Sequence, residues 1–489
     1  MARTDRRTDY RVTFAVLCLG VTAFALLQSM VNPVLPTIEH ALHTDQRTVT
    51  WLLTAYLLSA SVFTPIIGRI GDKVGKERML VVTLGALALG SLVAALAPNI
   101  GVMIVARAVQ GVGGGVLPLT FGIIRDEFPP ERVAGAIGTA AALLAVGGGF
   151  GLVLGGPVVD ALSYHWLFWL PLMMTVAAAL AAALFVPESP VRTAGRINVA
   201  TALLLSVWLV TLLLAVSQGR VWGWTSPVTL ALVAVTAVVA PLWVRTEMRS
   251  DSPLIDMRMM QLPGVWTTNL VALLFGVGMY ALFAFLPQFL QTPTRAGYGF
   301  GASVTTSGLL LLPQSAATFL AGIASGRVAA RHGSKRVLIG GAALNAAALV
   351  GLTVAHGTIG LVLVWSTLLG AAFGFAFAAM SNLVVASVEP SQTGVASGMN
   401  ANIRTVGGAL GGAVLASVVT AGARPDGLPV EHGYTYGFGF LALTGIAAAV
   451  VALLVPRATQ PEPETVPGEV RHPELGVVAA GTLVSDTGR

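Results

Sequence analysis

Fourteen apolar runs, separated by short polar segments, organise this chain. They fall at residues 12–34, 49–67, 79–97, 101–122, 133–157, 166–186, 199–217, 227–244, 265–290, 303–324, 337–355, 359–386, 394–420 and 435–455. Crossing ~30 Å of hydrocarbon takes about 20 apolar residues of helix. The runs are of that order and continuous, so they predict spanning helices and not the ~10-residue alternating strands of a barrel. The first run follows Arg3, Arg6, Arg7 and Arg11 and so imitates a signal peptide. It continues to about Asn32, with no small-residue cleavage site before the next span, and is read as the first spanning helix.

Two polar segments recur. Gly68-Arg-Ile-Gly-Asp-Lys-Val-Gly-Lys-Glu-Arg78 returns in outline as Gly326-Arg-Val-Ala-Ala-Arg-His-Gly-Ser-Lys-Arg336, an offset of 258 (326 − 68). Gly147-Gly-Gly-Phe-Gly151 returns as Gly407-Gly-Ala-Leu-Gly411, an offset of 260 (407 − 147). The repetition divides the chain into a cytoplasmic N-terminus (1–11), a six-helix bundle (12–186), a linker with two further spans (187–264), a second six-helix bundle (265–455) and a tail (456–489) that reads as disordered. Parallel repeats of this kind are a known transporter plan, with the substrate site near mid-membrane between them. Within the linker, residues 253–260 read either as a segment lying along the membrane surface or as a simple connection.

Composition agrees with the pattern. Of 489 residues, 55% are hydrophobic and 10% charged, against about 25% charged in soluble domains. The net charge of +6 is no nucleic-acid footprint, because the cations sit in short loops. One set of alternate loops and the two ends holds 22 of the 28 lysines and arginines; the other set holds Arg47, Arg220, Arg295 and Arg424, and Arg107 and Arg404 lie within spans. The positive-inside rule then places both termini in the cytoplasm. Three lysines against many arginines point to a bacterial source, hence the bacterial cell membrane. The single Cys18 excludes an internal disulfide.

Gly68-x-Ile-x-Asp72-x-x-Gly75-Lys76-x-Arg78 resembles the loop signature of the major facilitator superfamily, and Arg107-x-x-Gln110-Gly-x-Gly113 is similar to its fourth-helix motif. Gly147-x-x-x-Gly151 with Gly155 and Gly156 resembles the fifth-helix motif of its exporters, with Leu152 where a proline usually follows. The span count and inserted pair resemble its fourteen-helix drug:proton antiporter branch. The resemblance covers about residues 12–455. It implies two six-helix bundles that rock about the fifth-helix glycines, and a latch in which Asp72 caps or pairs across the halves while Lys76 and Asp126 extend the charge chain. The other reading of those charges is a solvated loop that only sets topology. Asp72 corresponds to Ala330 in the second loop, so the latch is one-sided.

A charge within hydrocarbon costs at least ~2.5–3.5 kcal/mol and so usually faces a cavity or a partner. Arg107 and Arg404 are therefore candidate coupling or cavity residues, with snorkelling to an interface as the other reading. Where antiporters of that branch usually carry a first-helix aspartate, this chain has Leu27, and no Asp or Glu lies deep in any span. Proton coupling thus rests on the resemblance, with Glu39, Asp160, Asp72 or Asp126 as substitutes. Candidate substrate-binding residues are Gln28, Asn32, Asn269, Tyr280, Gln288, Gln314, Phe373, Phe377, Asn382, Asn400 and Asn402, with Gln110, Trp266 and Phe283. Such a lining suits a neutral or anionic amphipathic molecule.

Other chemistry is excluded. Gly75-Lys76 is followed by Glu77 and lacks the leading glycine of a phosphate-binding loop, and Gly111-x-Gly113 lies in an apolar helix and not after a strand. His40 and His43 read as an external loop and not as metal ligands. The expectation is a non-enzymatic, cofactor-free, metal-free monomer that exports an organic compound by proton antiport and alternating access. Its partners are the small-molecule substrate, protons and membrane lipid. The alternatives are an uncoupled facilitator or importer, and a membrane-embedded sensor.

Overall fold

The computed structural model describes residues 9–31, 34–189, 198–250, 252–421 and 428–456. The expected N-terminal segment to residue 8, the tail from 457 and the candidate Asn32 lie outside these residues. Among the described residues, fourteen helices are long and apolar enough to cross a membrane. They are α1 (Tyr10–Ser29), α2 (Trp51–Val74), α3 (Lys76–Ala95), α4 (Ile100–Glu127), α5 (Pro130–Ala161), α6 (Trp166–Phe185), α7 (Val199–Trp222), α8 (Pro227–Arg249), α9 (Pro263–Gln291), α10 (Thr305–His332), α11 (Ser334–Val354), α12 (Ile359–Ala386), α13 (Thr393–Thr420) and α14 (Glu431–Leu454). Large apolar side chains stay exposed on the outward faces, Val238 and Leu443 both at 68%, as a lipid-facing surface requires.

The helix ends differ from the apolar runs in an instructive way. The run expected to end at residue 67 continues as helix to Val74, so most of the repeated polar segment is helical and Gly75 alone interrupts it, at φ 129°. Gly333 does the same between α10 and α11, at φ 81°. Only glycine takes up a positive φ at low cost, and charged residues extend a helix beyond hydrocarbon once they reach polar surroundings. Likewise α4 runs to Glu127, which places Asp126 on a helix end and not in a loop. Within α4, the glycine-rich stretch Val112–Gly115 tightens into a 3-10 turn.

Helices α1–α6 and α9–α14 form two bundles, and α7–α8 is the inserted pair. The bundles meet where α2 packs on α13 and where α5 packs on α10 and α12. The two contacts repeat each other. A Cβ on Gly68 of α2 would lie 2.6 Å from the Gly394 carbonyl oxygen of α13, and one on Gly326 of α10 would lie 2.6 Å from the Gly135 Cα of α5. Gly68 and Gly326 are 258 apart, Gly394 and Gly135 are 259 apart (394 − 135), so one interface is the pseudo-symmetric copy of the other. The inserted pair joins one of these interfaces: α7 packs on both α2 and α13. Its Leu205, Leu209 and Trp243 share a core with Ile255 and Met259 of the linker and with Val395 and Met399 of α13. Buried Glu247 fixes the linker by accepting the Leu254 amide at 2.9 Å.

Candidate functional site

The first part of the site is a cluster of buried charges at the arginine-rich ends of the helices. Asp72, in the last turn of α2, accepts hydrogen bonds from the backbone amides of Gly394 (3.3 Å) and Val395 (3.1 Å). These are among the first amides of α13, which no intrahelical carbonyl satisfies. Asp72 therefore caps a helix of the opposite bundle, where the partial positive charge of the helix end favours a carboxylate. Lys76 Nζ lies 3.8 Å from Asp72 and 2.5 Å from Asp126 Oδ2, with Asp72 and Lys76 wholly buried. Arg125 reaches across as well, donating to Thr393 Oγ1 (2.7 Å) and to the Val388 carbonyl (2.8 Å). Asn382 of α12 donates to the Ala134 carbonyl at 3.2 Å. The N-terminal bundle thus grips the turn between α12 and α13, and these bonds exist only while the bundles meet at this face.

Two participants have no signal in the sequence pattern. Glu188, just past α6, forms an ion pair with Arg78, Oε2 lying 3.0 Å from Nε, and lies against Gly75, while Ser189 donates to Asp126. Their effect is to wrap the α2–α3 turn with the start of the linker. Arg78 is 63% exposed, so its ion pair contributes little by itself.

The second part is a cavity between the bundles. A space of about 180 Å³ is lined by Gln28 and Ser29 of α1, Leu144 and Gly148 of α5, Tyr280 and Phe283 of α9, Phe377 of α12 and Arg404 of α13. An adjoining space of about 60 Å³ shares Gln28, Leu144, Tyr280 and Arg404 and adds Tyr56 and Asn402. Arg404 sits near the middle of α13, about 16 Å of helix from its first residue, 8% exposed and 4.8 Å from the Phe377 ring centroid. Gly407 and Gly411 bring α13 against the α9 backbone at Leu273 and Val277, which sets Tyr280 beside Arg404.

The sequence pattern of the Major Facilitator Superfamily matches residues 17–299 and, a second time, residues 268–485. The chain belongs to this superfamily. It is 29% identical over 386 residues to the Multidrug resistance protein B homolog of Mycobacterium tuberculosis, covering 77% of this chain and 70% of that protein. It is 26% identical over 407 residues to the Tetracenomycin C resistance and export protein of Streptomyces glaucescens, covering 82% and 74%. Among solved structures, the human organic anion transporter MFSD10 superposes with a TM-score of 0.67 at 16% identity, over 90% of this chain and 99% of that one, a likeness of fold.

Within this superfamily member, Arg107 does not line the cavity. It is wholly buried in the N-terminal bundle, donating to the carbonyls of Leu52 (3.2 Å) and Leu27 (3.4 Å) and to Gln110 Oε1 (2.9 Å). Its guanidinium lies 4.5 Å from the ring centroid of Tyr56, which does line the cavity, and Gln110 in turn donates to Ser91 at 3.2 Å. Leu27 is buried and contributes its carbonyl to this network.

The remaining candidates divide. Phe373 stacks on Phe377 at 6.0 Å and supports the cavity wall from behind. Asn400 donates to Asn269 at 2.9 Å, both buried within the C-terminal bundle. Gln314 is buried, and its Nε2 has no hydrogen-bond partner among the described residues. Gln288 and Trp266 are exposed at the bundle surface and line neither space. Of the α5 glycines, Gly147 and Gly151 pack on Ala25 and Ser29 of α1, and Ser29 donates to the Gly147 carbonyl at 3.0 Å. Gly155 is buried, whereas a Cβ added at Gly156 would meet, among the described residues, only Thr305 at 3.9 Å, so no close helix approach is built on it there.

Proposed function

We propose that this protein is a secondary active exporter that carries organic compounds, such as drugs, antibiotics or metabolites, out of a bacterial cell by alternating access with proton antiport. The observation that carries the reading is the pairing of a cavity lined by both bundles with a latch whose bundle-to-bundle hydrogen bonds, among the described residues, gather at one face. The positive-inside rule puts that face in the cytoplasm, with both termini. The arrangement then has its cytoplasmic side closed, and breaking the Asp72 cap and the Arg125 grip opens the cavity inward. The names of the two curated relatives, a multidrug resistance protein and a tetracenomycin C exporter, support the direction. The transporter works as a monomer in lipid, since one chain supplies both walls of the cavity.

Among the described residues no Asp or Glu lines either space, so in a proton-coupled cycle the proton is carried outside the cavity, with the buried latch carboxylate Asp72 as the candidate. The same observation favours a second reading, an uncoupled facilitator. Efflux from cells with and without the gene, each with and without an uncoupler, decides. Efflux that needs the gene and collapses with the uncoupler is expected; gene-dependent efflux indifferent to the uncoupler removes the antiport. A membrane-embedded sensor would move no compound in either condition.

A further inference from the structure

Arg404 is the one charged side chain lining either central space among the described residues. Among those residues no carboxylate forms an ion pair with it, and its neighbours include Tyr280 and the Phe377 ring. A guanidinium held near mid-membrane without a counter-ion is costly, and it faces the space that both bundles enclose. We propose that the cavity binds a planar aromatic anion, with Arg404 as the counter-ion that the protein itself does not supply.

The surroundings specify the rest of the ligand. Guanidinium offers a planar fork that matches a carboxylate or a conjugated oxyanion. Phe283 and Phe377 both line the larger space, each packed on Phe373, and present rings for an aromatic body to stack on. In the adjoining space the buried Asn402 Oδ1 has no hydrogen-bond partner among the described residues, so it favours a ligand carrying a hydroxyl donor at its far end. A cationic drug would meet Arg404 with no acidic group to offset the repulsion. Outward movement of such an anion also runs with an inside-negative membrane potential.

The inference rests on the exporter reading only in taking this cavity as the substrate site, and its test is binding, not flux. Isothermal titration on the purified full chain in detergent would compare 2-naphthoate, 2-naphthamide and 2-naphthylmethylammonium, which share one ring system and carry charges of −1, 0 and +1. We expect the wild type to bind the anion at least tenfold tighter than the other two. Arg404→Gln should bring the three within about threefold of one another, and Arg404→Lys should restore part of the preference. Retained 2-naphthamide binding and an unchanged thermal transition in Arg404→Gln separate lost charge from lost fold. Equal affinities in the wild type, a preference for the cation, no saturable binding of the anion, or a preference that survives Arg404→Gln each overturn the proposal. None of these results depends on whether cells export anything.

Discussion

Asp72 and Val395 are 323 residues apart in sequence, and the carboxylate of one accepts the backbone amide of the other at 3.1 Å. This contact makes the closure of this face a helix cap that one bundle supplies to the other. Replacing Asp72 with Asn keeps an acceptor and removes the charge. Loss of a charge-assisted cap is expected to cost about 1–2 kcal/mol, or roughly 5–30-fold in the ratio of latched to open protein. The alkylation rate of Ser397→Cys, buried behind the latch, reports this in a Cys18→Ser background. Asp72→Asn should label faster by that factor in inside-out vesicles; an unchanged rate would reduce Asp72 to a determinant of topology.

The glycine pairs make a stronger prediction. Gly68 faces Gly394 and Gly326 faces Gly135 with no room for a methyl group. Overpacking costs ~1–3 kcal/mol, and here it falls on the two surfaces that must meet. Gly68→Ala and Gly326→Ala should each lower efflux by roughly tenfold or more. Gly85→Ala on α3, where an added methyl would meet no other segment among the described residues within 4 Å, is the control and should stay near wild type. If all three behave alike, the close approach has no part in the cycle.

The helical plan and the number of spans were legible in the sequence because hydrocarbon thickness fixes run length, a local signal. The repeat of Gly68–Arg78 at Gly326–Arg336 added the symmetry. The partners were not legible. Arg125 binds Thr393 and Val388, and nothing in their spacing announces it, since the contact depends on how two bundles dock. Glu188 and Ser189 follow a helix end in an ordinary polar stretch. Arg107 and Arg404 look alike as single arginines in apolar runs. Packing separates them, because Arg107 is enclosed by α1 and α2 whereas Arg404 faces the gap between bundles.

Lys76 and Asp126 are a buried pair at 2.5 Å, with side chains 0% and 1% exposed. Removing one member of such a pair leaves an uncompensated charge and typically costs about 3–5 kcal/mol. Lys76→Met should therefore lower the thermal transition of the purified protein sharply, and all the more because Asp72 loses its neighbour. Lys76→Met with Asp126→Asn should recover part of the loss, with a coupling of about 0.5–3 kcal/mol. Additive effects would mean that the lysine contributes nothing specific to Asp126.

Arg107 tests whether a buried charge is kept for stability or for transport. Its acceptors are two backbone carbonyls and one amide oxygen, and its Nη2 has no hydrogen-bond partner among the described residues. Without a carboxylate, these contacts do not repay the full desolvation of the guanidinium, so an apolar replacement of similar length is expected to be neutral or stabilising by ~1–4 kcal/mol. The replacement must include Gln110, whose Oε1 would otherwise be left unsatisfied at about 1–3 kcal/mol. Arg107→Met with Gln110→Met should thus hold or raise the thermal transition while efflux falls at least tenfold, because Tyr56 loses the cation beneath its ring and the cavity wall loses its backing. Arg107→Lys should behave like the apolar pair in flux, since one ammonium cannot span the Leu27 and Leu52 carbonyls on two helices. A fall in the transition that tracks the fall in efflux would instead make Arg107 a strut of the N-terminal bundle.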